Sequence, residues 1–331
     1  MAELNNLTVG RVISQERGAY RVACDGGEMS AEVSGKFRHE LRCASELPTV
    51  GDFVKLDPGA GSGRAIIREL MPRKSVFLRK AAGTATAEQA VAANIDTVFI
   101  CTSLNEDLNL RRLERYLSAA WESGAMPVIL LTKSDLCADI AAAEASVADI
   151  APGVDILVTS SLAEDGISAV QPYLTEGKTV AFVGSSGVGK STLINRLLGE
   201  ERIKTSGLRN DGRGRHTTTH RELMPLPCGA FVIDTPGMRE LGLWDAADGI
   251  GRAFADIEEL ARSCRFGDCS HTCEPGCAVR AAIADGSLDE GRLESYLRLQ
   301  AENAYTEDRA GFLSAKERKF KEISKINKHS R

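Results

Sequence analysis

The feature that most constrains this chain is the octapeptide Gly184-Ser185-Ser186-Gly187-Val188-Gly189-Lys190-Ser191. It matches G-x-x-x-x-G-K-[ST], and it lies between an apolar run at 179–183 and a stretch with helical periodicity at 192–198. A strand, a glycine-rich turn and a helix in that order form a cradle for phosphates. The glycines let backbone N–H groups close around the anion, and the helix N-terminus adds positive potential. Lys190 is suited to reach the β- and γ-phosphates and Ser191 to ligate Mg²⁺, with Thr192 next on the helix. Such a turn requires an α/β core. Short apolar runs at 98–101, 128–131 and 156–158 alternate with helical stretches such as 110–121. That alternation predicts a mostly parallel sheet covered on both faces.

Downstream, the apolar run at 231–233 leads into Asp234-Thr235-Pro236-Gly237, a D-x-x-G sequence. Asp234 is expected to hold the metal through water, and the Gly237 N–H to sense the γ-phosphate. Alone this motif is weak, but at this distance after the phosphate loop it is specific. Between the two lies the polar, glycine-rich segment 206–219, which ends in Thr217-Thr218-Thr219. It suits a segment ordered by nucleotide, with Thr218 completing the Mg²⁺ shell; the plainer reading is an ordinary surface loop. Ras-like enzymes orient the attacking water with a glutamine just after D-x-x-G. Here that position is Met238, which cannot polarise water. His216 has the chemistry to position water or accept its proton, the alternative being packing or phosphate contact. Arg213 and Arg215 read equally as charge stabilisers, RNA contacts or solvated residues.

Upstream, 128–131 runs into Thr132-Lys133-Ser134-Asp135, which resembles the N-K-x-D guanine motif. An aspartate there accepts from both N1–H and the 2-amino group of guanine, whereas adenine presents an acceptor and leaves the carboxylate unpaired. The Lys133 stem packs over the base. Thr132 replaces the usual asparagine, which is expected to weaken the bracing of this loop. The next strand exits into Thr159-Ser160-Ser161, where backbone amides of Ser160 and Ser161 can touch the guanine oxygen. GTP is favoured over ATP. In ordinary small GTPases the guanine motif follows the phosphate loop, but here Asp135 precedes Lys190, so the elements are circularly permuted.

At 331 residues the chain suggests two or three domains. A composition of 43% hydrophobic and 26% charged residues is that of a globular protein with real cores. The net charge of -5 excludes no partner, because a local basic patch can sit on an acidic whole. The N-terminus lacks a basic and apolar export signal, and no apolar run approaches the roughly 18 residues of a membrane helix, so a cytoplasmic protein is expected. Short alternating runs at 8–14, 19–24, 29–33, 53–56 and 65–70, separated by Gly26-Gly27 and 58–63, predict a small barrel, with an OB-fold the natural candidate. Arg11, Arg17, Arg21, Lys36, Arg38 and Arg42 read either as an RNA-facing surface or as a solvated exterior. The tail from 316 to 331 is basic.

Cys264, Cys269, His271 and Cys277 form C-x₄-C-x-H-x₅-C. Three thiolates and one imidazole make a closed tetrahedral set, suited to structural zinc. Cys273 is a spare that could replace a neighbour, and reduced surface thiols are the alternative.

T-K-S-D, G-S-S-G-V-G-K-S, R-G-R-H-T-T-T, D-T-P-G-M-R-E and the cysteine motif, in this order, resemble the ribosome small subunit-dependent GTPase A family, also called RsgA or YjeQ. The resemblance covers essentially the whole chain, including Val91-Ala92-Ala93-Asn94-Ile95-Asp96 before the GTPase core. It implies a multidomain α/β protein: an OB-fold at 1–72, a circularly permuted P-loop GTPase domain at 73–245, and a helical zinc domain with a basic extension at 246–331. It further implies docking on the small ribosomal subunit and its rRNA, and GTP hydrolysis to GDP stimulated by that subunit in late maturation. It strengthens the zinc assignment, and a histidine that the family carries in a proposed catalytic role matches His216. A monomer is expected. The rivals are an RNA-binding module with a vestigial pocket and a permuted GTPase acting on the large subunit.

Overall fold

The computed structural model describes residues 7–16, 18–59, 63–80, 88–105, 108–160, 163, 166–203, 221–234 and 247–307. Five N-terminal strands, β1 (Thr8–Glu16), β2 (Ala19–Cys24), β3 (Gly27–Val33), β4 (Phe53–Asp57) and β5 (Ala65–Leu70), form a closed ring. The ring runs β1-β2-β3-β5-β4 and back to β1, all antiparallel except β3 with β5. This is the order of an OB-fold barrel. Alternating residues fill its centre, among them Val12, Tyr20, Val22, Val54, Leu56 and Ile67. A short helix, α1 (Gly35–Glu40), follows β3 and is capped by Ser34, whose Oγ accepts from the Phe37 N–H at 3.0 Å.

Asp52, at the lip of the barrel, is fully buried. Arg73 donates to both of its oxygens, Nε to Oδ1 at 2.8 Å and the second guanidinium nitrogen to Oδ2 at 2.7 Å. The same guanidinium reaches the carbonyls of Ser45 and Leu47. One fork therefore fixes the chain where it leaves the barrel.

The hairpin β6 (Val76–Lys80) and β7 (Glu88–Ala93) comes next, then β8 (Thr97–Ser103), α2 (Leu110–Ser123), β9 (Met126–Thr132), α3 (Ile140–Ala148), β10 (Asp155–Val158), β11 (Thr179–Gly184), α4 (Lys190–Leu198), β12 (Glu222–Pro225) and β13 (Phe231–Asp234). The central sheet runs β10-β9-β8-β11-β13-β12; its neighbours are parallel except β12, which is antiparallel to β13. Along each central strand successive residues enter opposite cores. Val98, Ile100, Ile129, Leu131, Ala181 and Val183 join α2 in one, while Phe99, Cys101, Val128, Leu130, Val180 and Phe182 join α4 in the other. Burial on both faces is why these strands read as unbroken apolar runs. β8 precedes β11 in the chain yet pairs beside it, with Cys101 opposite Gly184. The permuted order is thus absorbed by the connections, leaving a regular sheet.

The barrel and this sheet are continuous. Ser14 of β1 pairs with Glu222 of β12, and Ile13 and Val50 of the barrel segment enter the central core. Arg11 is not part of an RNA-facing surface. Its guanidinium lies between the rings of Phe53 and Phe231, 5.0 and 4.8 Å from their centroids, and it hydrogen-bonds Thr179. Burial lowers its pKa to about 10, against the opposing charge of Asp96. An arginine so enclosed joins two layers and cannot meet an external phosphate. Arg21 is engaged by Glu28 and Glu222, whereas Lys36, Arg38 and Arg42 are exposed; Arg17 lies outside the described residues.

The C-terminal part is helical: α5 (Ala247–Ala253), α6 (Ala255–Ala261), α7 (Ala278–Ala284) and α8 (Glu290–Glu307). Gly249 lets α5 approach α2, since a Cβ there would stand 2.1 Å from the Ser118 carbonyl oxygen. Arg292 of α8 is buried and ion-pairs with Glu114 of α2 at 3.0 Å and Asp256 of α6 at 2.7 Å, with its guanidinium over the Phe254 ring. Ionic contacts this deep hold only when every partner is present. The basic tail lies outside the described residues.

Candidate nucleotide site and metal centre

β9, β10, β11 and β13 deliver Thr132, Thr159, Gly184 and Asp234 to the same edge of the sheet, the edge at the carboxyl ends of its parallel strands. Ligands of open α/β sheets bind in the crevice there. At Gly184 the backbone turns with φ +139, and a Cβ would stand 2.2 Å from the Cys101 carbonyl oxygen, so only glycine fits. Ser186 and Gly187 are exposed at the tip of the turn, Val188 is buried, and Gly189 caps α4. Lys190, Ser191 and Thr192 are half-buried in its first turn. The Lys190 ammonium folds back onto the loop and donates to the carbonyls of Gly184, 2.6 Å away, and Ser185, 2.5 Å away. Beneath it, burial pushes the Cys101 thiol up to about 12 against the nearby Lys190 charge, so it stays protonated.

The guanine-loop residues meet this turn directly. The Thr132 hydroxyl lies 2.6 Å from the Val188 carbonyl oxygen and 3.2 Å from that of Thr102. A hydroxyl carries one proton, and the nearer oxygen is the better acceptor. Thr132 therefore braces the loop through its hydroxyl, a short side chain reaching a carbonyl that approaches this closely. Lys133 has φ 57, a left-handed conformation rare outside glycine, which turns the chain sharply after β9. Asp135 is exposed in the short helical turn Ser134–Leu136. Ser160 donates to its Oδ1, and the Ser134 N–H donates to the Thr159 carbonyl at 3.3 Å. The two loops predicted to read guanine are thus linked before any base arrives. Asp234 ends β13, half-buried. Ser161, Arg213, Arg215, His216, Thr218, Gly237 and Met238 lie outside the described residues.

Neither the Thr132–Val188 brace nor the Ser160–Asp135 bond was foreseen from sequence. A third contact, Arg112 of α2 donating to the Ser185 hydroxyl, was also missed. Only the apolar strand ends before Thr132 and Ser160 hinted at their proximity.

Cys264, Cys269, His271 and Cys277 converge, with one donor atom from each lying within 4.8 Å of the others. His271 Nδ1 is 3.7 Å from Cys264 Sγ and 3.5 Å from Cys277 Sγ, and the two sulfurs are 3.9 Å apart. Those separations match the edges of a tetrahedron around one ion with bonds of about 2.0–2.3 Å. The Arg280 N–H points at Cys277 Sγ at 3.4 Å. His271 reaches the cluster from a left-handed backbone, φ 58. Cys273 is exposed outside the cluster and does not replace a neighbour.

A family model described as RsgA GTPase matches residues 70–244. This chain belongs to the RsgA GTPase family. It is 52% identical over 302 residues to the small ribosomal subunit biogenesis GTPase RsgA 2 of Lactiplantibacillus plantarum, covering 91% of this chain and 85% of that one. The protein named small ribosomal subunit biogenesis GTPase RsgA in Opitutus terrae is 48% identical over 310 residues, covering 91% and 84%. The crystal structure of YjeQ from Thermotoga maritima superposes with a TM-score of 0.64 at 26% identity, covering 88% of this chain and 97% of that one. The circularly permuted GTPase YloQ superposes with a TM-score of 0.63 at 25% identity, covering 91% and 96%. Among the described residues of this RsgA-family chain, no helix is long and apolar enough to cross a membrane.

Proposed function

We propose that this chain hydrolyses GTP while docked on the small ribosomal subunit, acting as a late-stage assembly factor in the cytoplasm. The observation that carries the reading is the meeting of a permuted guanine loop and an intact phosphate loop through Thr132 and Val188. The names of the relatives supply the ribosomal context.

In this reading Asp135 reads N1–H and the 2-amino group of guanine, Lys133 packs on the base, and amides at Ser160 and Ser161 meet its oxygen. The backbone from Gly184 to Gly189 wraps the phosphates, Lys190 draws charge from the β- and γ-groups, and Ser191, Thr218 and Asp234 hold Mg²⁺ directly or through water. Mg²⁺ supplies neutralisation of the charge that develops on the phosphate oxygens. His216 orients the attacking water and takes its proton as the bond to the γ-phosphorus forms and the bridging oxygen leaves with GDP. Gly237 senses whether the γ-phosphate is present. Three cysteines and His271 hold structural zinc, which ties the loop between α6 and α7. The units are the barrel at 1–72, the GTPase domain at 73–245 and the metal-binding domain at 246–331, in a monomer.

The test is phosphate release with separated ribosomal subunits, together with cosedimentation in a non-hydrolysable GTP analogue. Small subunits are expected to stimulate turnover and retain the analogue-bound protein. Stimulation by large subunits alone, or none by either, rejects the proposal.

A further inference from the structure

Near the start of α2, outside the nucleotide cradle, lies a cleft of about 300 Å³ bordered by Asn109, Arg111, Arg112, Arg115, Arg298 and Glu302. Four of its six lining residues are arginines, contributed by two elements distant in sequence. Arg111 is oriented by Glu114 at 2.7 Å and by Asp289, and Arg115 by Glu302 at 2.7 Å. Arg298 is exposed and makes no ion pair or hydrogen bond among the described residues. Glu114, Asp289 and Glu302 offset part of the positive charge of this recess, and Arg298 adds to it without an acidic partner among the described residues. Planar guanidinium forks match phosphate oxygens in pairs.

The cleft also communicates with the nucleotide loop. Arg112 lines it and donates to the Ser185 hydroxyl, the second residue of the phosphate turn. Resting on the ribosomal reading above, we infer that this cleft receives phosphodiester groups of RNA, and that an RNA phosphate competes with Ser185 for Arg112. Occupancy of the cleft then changes what holds the first turn of the phosphate loop. Because coupling between two sites is reciprocal, loosening Arg112 from Ser185 must favour RNA.

The experiment uses the full chain without nucleotide and a fluorescein-labelled RNA hairpin, followed by anisotropy between about 50 and 200 mM salt. Arg298→Glu is expected to weaken binding about tenfold and to flatten the salt dependence by at least one unit of slope. Arg298→Lys, which keeps the charge but not the two-pronged geometry, should retain the wild-type salt slope and bind between wild type and Arg298→Glu. Ser185→Ala, which removes the Ser185 hydroxyl from Arg112, should bind about fivefold tighter. A gain of affinity is a result that misfolding does not produce. Equal binding by wild type and Arg298→Glu, or no binding by wild type, overturns the cleft assignment. Unchanged binding by Ser185→Ala overturns the competition. A wild type that small subunits stimulate, with an Arg298→Glu variant that behaves identically in every assay, leaves the ribosomal reading intact and rejects this inference alone.

Discussion

The hydroxyl of Thr132 and the carbonyl of Val188 are 56 residues apart in the chain and 2.6 Å apart in space. Through this contact the residue that opens the proposed guanine loop supports the peptide just before Gly189 and Lys190. Thr132→Val keeps the shape and removes the donor, leaving a buried carbonyl with no partner there. Such a loss costs about 1–3 kcal/mol. GTP affinity, read with a fluorescent guanine nucleotide, should fall by about tenfold, and Thr132→Asn should restore most of it. An unaltered affinity in the valine variant would show that the brace contributes nothing to the site.

His216→Ala should separate chemistry from binding. Loss of a general base lowers rate by about 10²–10⁴-fold, so subunit-stimulated turnover should drop within that range while GTP affinity stays near wild type. A variant that binds GTP poorly but turns over its bound fraction normally would move His216 out of the chemistry.

Metal content distinguishes the four clustered ligands from their neighbour. Cys277→Ser should lose the ion, detected by elemental analysis of the purified protein, and should lower the thermal midpoint. Cys273→Ser should retain both. Chelation of the wild type should reproduce the Cys277→Ser behaviour, because the binding energy of a structural ion is also folding energy. Metal retained by Cys277→Ser would contradict the ligand set.

Asp52 and Arg73 make a further prediction, at the exit from the barrel. Asp52→Ala leaves a mostly buried guanidinium without its carboxylate, a change that typically costs about 3–5 kcal/mol. The denaturation midpoint should fall accordingly. Arg73→Lys should rescue little, since one ammonium cannot reproduce a two-pronged contact. A midpoint within error of wild type for Asp52→Ala would refute the clamp.

The parts legible from sequence were those in which local chemistry and tertiary demand agree. The phosphate turn carries its glycines where the backbone requires them, the doubly buried strands read as apolar runs, and the barrel strands alternate. The hairpin β6–β7 was not read as such: Glu88-Gln89-Ala90-Val91-Ala92-Ala93 is alanine-rich and pairs because Phe77 and its neighbours bury it, not because of strand propensity. β12, four residues ending in proline, is equally faint and exists because β13 and β1 flank it. Arg11 was misassigned because an arginine on an alternating strand looks solvated until the partner rings, Phe53 and Phe231, are brought around it. The Arg112–Ser185 contact joins positions 73 residues apart and leaves no periodic trace.

Fusing the barrel ladder to the central one through Ser14 and Glu222 also has a consequence for self-association. One end of this composite sheet bites back on itself, because β4 returns to β1, and offers no unpaired row of amides and carbonyls. The other end is β10, only four residues long and opened by the charged Asp155. An eleven-stranded ribbon would ordinarily present two long templates for another chain to zip onto. Here, among the described residues, the barrel end closes on itself and the β10 end is a stub, too brief and too charged at its start to recruit one.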